Sequence, residues 1–313
     1  MTENKRVVLT GATGFIGSVV AKELLRKKYE LIVFSRNPAE AKRKLPGAKE
    51  YIEWLPQENG AWATAIDGAY AVIHCAAPSI FEKRYTNQYA QEALANRVIS
   101  TRGLVNAMRL AKSKPSVFIS SAAQGIYGFD VVTDVAVDEN TPPSNDYWGQ
   151  DSLPWEQEAL KAEQLNIRTV VMRTGYVLGE NGGGLPYQVR QARKGQSGIS
   201  QPKNAYCSWI HILDEARLYL FALENEQVRG AMNCTAPNPV TNQEYADFLG
   251  KAVGKKIGLM PYFLVRLFVG KVAEIYSRQK RVIPKKALDL GFTFEYETMD
   301  KALADLVPRI VSQ

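Results

Sequence analysis

The chain has 313 residues, 46% hydrophobic and 23% charged, and its 39 Lys+Arg against 32 Asp+Glu give a formal net charge of +7. This composition excludes a disordered chain, a collagen-like repeat and a disulfide-stapled scaffold. The length is enough for a substantial core in one large domain or two intimate ones.

Arg6 to Thr10, a short β-branched run, predicts a buried parallel strand. Gly11-Ala12-Thr13-Gly14-Phe15-Ile16-Gly17 follows at once, and Ile16, Val20 and Leu24 then recur every four residues as one helical face. A second strand is expected over Glu30 to Phe34. The order strand, glycine loop, helix, strand is the context a dinucleotide fingerprint requires. Gly11 permits the tight turn, Gly14 lets the backbone approach a pyrophosphate, and Gly17 lets the helix pack on the sheet. Thr13, Phe15 and Ile16 complete the expected cofactor-binding loop at the helix N-terminus.

The end of the second strand bears on which cofactor binds. An NAD binder places Asp or Glu about 20 residues beyond the glycine loop; this chain has Ser35 and Arg36. An arginine suits a 2′-phosphate through charge-assisted bonds, so NADP(H) is expected over NAD(H). The competing reading is a surface Arg36 stacked on adenine without selecting the phosphate.

Further strands are expected over Tyr51 to Trp54, Ala71 to Ala76, Ser116 to Ser120 and Thr169 to Arg173, with helices over Gln88 to Lys112 and Trp155 to Leu165 and a loop over Ser121 to Gly128. Small residues at Cys75, Ala76 and Ala77 allow the backbone close to the cofactor, and Gly175 follows the sixth strand. This alternation predicts an α/β fold, a Rossmann doubly wound parallel sheet with a smaller C-terminal substrate-binding part. The expected division is residues 1–235 for the nucleotide-binding domain and 236–313 for the C-terminal part, with the segment 179–204 looping over the pocket. Ser208 to Ile212 returns as an extended segment, Asp214 to Leu223 is helical, and Thr241 with Glu244 forms a capping box. Ile257 to Tyr276 is apolar but carries Arg266, Lys271 and Glu274, so a buried amphipathic helix is expected there rather than a membrane span. The basic run Arg278 to Lys286 is expected to be a solvated face.

The three cysteines, Cys75, Cys207 and Cys234, form no C-x-x-C pair, and the two histidines, His74 and His211, show no zinc spacing, so no metal is expected. His74, inside a strand, is expected to be a satisfied core residue, and His211 a structural hydrogen-bonding group. The polar Met1 to Arg6 leads straight into a strand without a signal peptide, which makes a reduced, cytoplasmic compartment the default expectation. The expected partners are a small-molecule substrate and, in an alternative reading, a protein; neither nucleic acid nor membrane is expected, and the state is a monomer or homodimer.

T-G-A-T-G-F-I-G from Thr10, S-R-N-P from Ser35, Tyr127-Gly128, W-E at Trp155, R-T-G-Y-V-L-G from Arg173, W-I-H-I from Trp209 and V-I-P-K-K-A-L-D-L-G-F from Val282 stand together in this chain. With them it resembles the extended short-chain dehydrogenase/reductase superfamily and, more narrowly, the bacterial YfcH-like epimerase group, also labelled SulA-like, with its DUF1731-like C-terminal module. The resemblance implies a Rossmann core, NADP(H), a poorly defined substrate and a cofactor contact from Arg97. It also implies chemistry by a Ser or Thr after the fifth strand and a Tyr-x-x-x-Lys on the next helix. A phenol has a pKa of about 10, and a nearby lysine cation favours its phenolate.

Here the pattern is broken. Tyr147 is the positional tyrosine, but Asp151 stands four residues on, where a carboxylate pushes a phenol pKa up. The serine equivalent falls near Ala122, with Ser120 and Ser121 available as substitutes. Tyr127 is a second acid–base candidate, its competing role being packing under the cofactor. The literal Tyr-x-x-x-Lys, Tyr276 to Lys280, lies in the C-terminal module and reads as coincidence. Two functions therefore stand: an NADP(H)-dependent epimerase or oxidoreductase on a small polar or nucleotide-linked substrate, and a non-catalytic NADPH sensor acting through a protein partner.

Overall fold

The computed structural model describes residues 5–56, 60–78, 86–196 and 198–313. Seven strands among them form one parallel sheet: β1 (Arg6–Thr10), β2 (Glu30–Ser35), β3 (Glu50–Glu53), β4 (Ala71–His74), β5 (Val117–Ala123), β6 (Arg168–Thr174) and β7 (Gly230–Cys234), in the spatial order β7-β6-β5-β4-β1-β2-β3. The helices that matter most are α1 (Phe15–Arg26), α2 (Asn87–Leu110), α3 (Tyr147–Leu160) and α4 (Ile212–Glu224). Strand alternation sorts the core. Val7, Leu9, Ile73 and Ile119 face α1 and α4, whereas Val8, Val72 and Phe118 face α2 and α3. The sheet is thus covered on both sides, as a parallel sheet requires. The strand order reverses between β1 and β4, which opens a crevice at their C-terminal ends.

A second apolar core lies beyond the sheet. Tyr176, Leu185, Val189, Cys207 and Trp209 pack there with Tyr245, Leu249, Leu303, Leu306 and Ile310, so residues from both sides of position 235 share it. Short pairings stitch the same regions together: Gly198–Ser200 with Gly258–Met260, Tyr206–Cys207 with Val240–Thr241, and Ala136–Val137 with Arg281–Val282. Thr241 and Glu244 form the expected capping box on the helix Asn242–Val253.

Several local expectations are corrected. Ile257 to Tyr276 is not one buried helix: it divides into a strand over Gly258–Met260 and helices over Tyr262–Val269 and Ala273–Ser277. Pro261 precedes the first helix, and Gly270, at φ +71°, ends it; Phe263 and Leu267 are exposed. Ser121 to Gly128 is not a loop throughout, since β5 runs to Ala123 and a 3₁₀ turn, Gln124–Tyr127, follows. The segment 179–204 contains the helix Leu185–Arg193 and a paired strand. The basic run is not a simple solvated face: Lys280 pairs with Asp130, and Lys286 donates to the carbonyls of Arg229 and Ala231. No helix among the described residues is long and apolar enough to cross a membrane.

Candidate functional site

The crevice is built by the glycine loop. Gly11 lies at φ +71°, and a Cβ there would stand 2.7 Å from backbone atoms of Cys75 and Ala76. A Cβ at Gly17 would enter the carbonyl oxygen of Gly11. Only glycine lets β1, the segment after β4 and α1 meet this closely. Gly14 caps α1 and has no side chain to satisfy its first-turn amides, which leaves those amides suited to an anion.

A buried hydrogen-bond chain braces the two loops. The Ala76 N–H donates to Thr10 Oγ1 (3.1 Å), and Thr10 Oγ1 lies 2.7 Å from His74 Nδ1. His74 Nε2 lies 3.2 Å from Ser100 Oγ, which donates to the Arg97 carbonyl (3.0 Å). The arrangement that satisfies every member has Thr10 donating to Nδ1 and the Nε2–H donating to Ser100. Burial holds the imidazole neutral, its pKa lowered to about 3.

A cavity of 290 Å³ opens from this crevice. Gly11, Thr13, Gly14, Ser35, Arg36, Cys75, Ala76 and Ala77 line it, eight of the expected cofactor-binding residues. Sequence reasoning missed Phe34, Trp54, Pro56, Pro78 and Asn96, which complete the lining. Arg36 is exposed at the end of β2, and among the described residues no carboxylate pairs with it. Glu53 stands opposite Ser35 in the β2–β3 ladder but does not line the cavity. The glycine cradle, unclaimed amides, aromatic wall and free guanidinium fit the pyrophosphate and adenosine of a dinucleotide.

The remaining expected contacts lie around this cavity. Ile16 is directed into the sheet core. The Phe15 ring lines an adjoining 470 Å³ cavity and is covered by the glycine-rich segment: a Cβ at Gly179 or Gly182 would fall 2.6 or 2.5 Å from it. Gly175 sits where a Cβ would meet the Ser208 carbonyl at 2.5 Å. Phe15, Ile16, Gly17 and Gly175 therefore shape the loop by backbone and packing; their side chains do not line the 290 Å³ cavity. Arg97 borders it, donating to the Pro78 carbonyl (3.2 Å) with its guanidinium 5.0 Å from the Trp155 ring.

The acid–base candidates separate. Tyr147, the first residue of α3, is 37% exposed, and Lys271 Nζ stands 3.2 Å from its ring centre. Asp151, one turn on, has its carboxyl pKa raised by burial and pulled back by Arg97 and Lys271. Ser120 is buried and donates to the Ser121 carbonyl (3.3 Å), while Ser121 Oγ lies 2.7 Å from the Tyr219 hydroxyl on α4. Neither these serines nor Tyr147 lines the 290 Å³ cavity. Tyr127 is removed from the candidates: its buried hydroxyl donates to Asn233 Oδ1 (2.6 Å) and accepts from Arg173 (2.9 Å), and burial pushes its pKa up to about 12. His211 is structural, accepting the Leu213 N–H (3.1 Å), meeting Asp305 (3.2 Å) and stacking on Tyr296. Tyr276 and Lys280 share no helical turn, because the helix ends at Ser277.

A parallel sheet with a glycine-lined crevice where its strand order reverses defines a dinucleotide-binding α/β protein of the extended short-chain dehydrogenase type. Residues 7–234 match the NAD dependent epimerase/dehydratase family, and the chain belongs to it; residues 260–306 match a domain of unknown function, DUF1731. The epimerase family protein YfhF of Bacillus subtilis is 31% identical over 302 residues, covering 96% of this chain and 97% of that one. The crystal structure of human epimerase family protein SDR39U1 (isoform 2) with NADPH is 25% identical, with a TM-score of 0.82 and coverage of 97% and 99%. The Bacillus cereus UDP-glucuronic acid 4-epimerase, crystallised with UDP-glucuronic acid and NAD, shares the fold at 18% identity, with a TM-score of 0.79 and coverage of 98% and 99%.

Proposed function

We propose that the protein binds NADP(H) in preference to NAD(H) and acts on a small polar or nucleotide-linked substrate as an oxidoreductase or epimerase. The observation that carries the cofactor choice is Arg36, exposed on the cavity rim where the β2 terminus carries no acid. A 2′-phosphate there gains a guanidinium partner and meets no carboxylate from Ser35. The human relative crystallised with NADPH supports the same choice.

A bound nicotinamide supplies the hydride donor or acceptor. The protein must move the matching proton, and Tyr147 is the group for it, with Asp151, Arg97 and Lys271 setting the field around its helix. Ser120 and Ser121 bond within the protein, so Tyr147 works without a serine committed to the substrate oxygen. These internal bonds of the two serines also favour the second reading, a nicotinamide sensor without turnover.

Calorimetry separates these statements. Arg36→Ala is expected to weaken NADPH about 10- to 100-fold, the worth of one or two charge-assisted bonds, and to leave NADH within about twofold. Equal weakening of both carriers refutes the NADP(H) preference. Turnover in a carbonyl-substrate screen that vanishes in Tyr147→Phe supports the enzyme. Tight NADPH binding with no turnover in the parent supports the sensor.

A further inference from the structure

A helix that begins with tyrosine and carries aspartate one turn later is electrostatically wrong for an ionisable phenol, since the carboxylate opposes the phenolate. The structure brings a correction from another part of the chain. Lys271 Nζ lies 3.2 Å from the centre of the Tyr147 ring, and the same ammonium faces Asp151. Its position is held from both sides. Glu274 accepts the Trp148 indole N–H (2.6 Å), and Val272 is buried with Ala90, Phe129 and Trp148. Gly270, at φ +71°, turns the backbone immediately before it.

We propose that Lys271 is a positioning residue for Tyr147: it supplies, from the C-terminal module, the ammonium that the Tyr147–Asp151 turn lacks, so the acid–base site is assembled across both parts of the molecule. The inference rests on the reading of Tyr147 as the proton-moving group. It gives the region matching a domain of unknown function a chemical task, that of completing the charge balance at the start of α3. Among the described residues, the charged groups at the start of α3 include Lys271 over the Tyr147 ring, Glu274 bonded to the Trp148 indole, Arg97 from α2 acting on Asp151, and Asp146 and Asp151 themselves. Asp146 is occupied with the Gly149 and Phe129 amides, and Glu274 with the Trp148 indole. Asp151 therefore opposes the phenolate, and Lys271, placed over the ring, favours it.

The test is a pH titration of the full-length chain labelled with ¹³Cζ-tyrosine, the Tyr147 signal being assigned from Tyr147→Phe. Lys271→Met is expected to raise the Tyr147 pKa by about one unit, a tenfold loss of phenolate at a given pH; this is the low end for a close opposite charge because the ring is partly solvated. Lys271→Arg is expected to restore most of that shift, and Asp151→Asn to move it the other way. Lys271→Gln serves as a second neutral variant should the methionine disturb folding, judged from the amide spectrum. A Tyr147 pKa unchanged in a folded neutral variant overturns the proposal. NADPH affinity within about twofold of the parent is expected throughout. Loss of NADPH binding in the parent itself defeats the functional reading instead, so the two failures are distinguishable.

Discussion

Glu215 lies on α4 with no exposure to solvent; its Oε1 accepts the Thr174 hydroxyl (2.8 Å), and its Oε2 has no hydrogen-bond partner among the described residues. Burial raises its pKa to about 8, opposed by the Thr174 bond. The folded chain keeps a proton that the unfolded chain releases near pH 4.5, so this stabilisation is full in acid and is lost as pH rises toward 8. The slope approaches about 1.4 kcal/mol per pH unit between those limits. Urea unfolding at pH 5, 7 and 9 is expected to show declining stability in the parent and a flatter profile in Glu215→Gln; parallel profiles refute it. At this scale the sequence was informative wherever a residue type answers to backbone geometry, as with Gly11, Gly14 and Gly17. It was weaker for Ser120, Ser121 and Tyr127, because hydroxyl roles depend on which face of β5 or which buried partner receives them. Arg173, on the neighbouring strand β6 but 46 residues on in sequence, takes Tyr127 out of the site, and no local pattern announces that.

The junction of α3 with β6 is an element-scale example of such long-range pairing. Arg173 binds Glu156 through two parallel bonds of 2.9 Å, both side chains buried, and the same guanidinium reaches Tyr127. Removing one partner leaves a buried charge, so Glu156→Ala is expected to cost about 3–5 kcal/mol in chemical denaturation. Tyr127→Phe, which removes one hydroxyl, is expected to cost about 1–2 kcal/mol. Equal costs argue against the ion pair as the main tie. The parallel sheet was legible because alternating apolar strands and helices leave few alternatives. The stretch from Ile257 was not, since its apolar content resembles one helix while Pro261 and Gly270 cut it into three pieces. Within one continuous helix Lys271 reads only as a charge that argues against a membrane span; its place over Tyr147 depends on the break at Gly270.

Across the whole molecule, the C-terminal chain is fastened to the nucleotide-binding part at several points. Asp214, fully buried at the start of α4, accepts the backbone N–H groups of Glu295 (3.0 Å) and Tyr296 (2.8 Å) and pairs with Arg217. Phe292 and Phe294 enter the sheet core beside α4, while Arg281–Val282 pairs with Ala136–Val137. Such sharing couples the parts, and a single calorimetric transition is expected. Asp214→Ala is expected to lower its midpoint by several degrees by stranding two amides and a cation. Two separated transitions in the parent rule out this coupling.

The spatial order of the sheet also bears on biosynthesis. A nascent polypeptide that has emerged only as far as α4 lacks the edge strand β7 and the residues from Ala236 onward that close the second core. The amide cradle is made among the earliest residues, whereas the cation over Tyr147 arrives among the last. Ribosome-bound intermediates are therefore expected to bind a nicotinamide dinucleotide before Lys271 reaches Tyr147, an order that protease protection of stalled chains by the dinucleotide can follow.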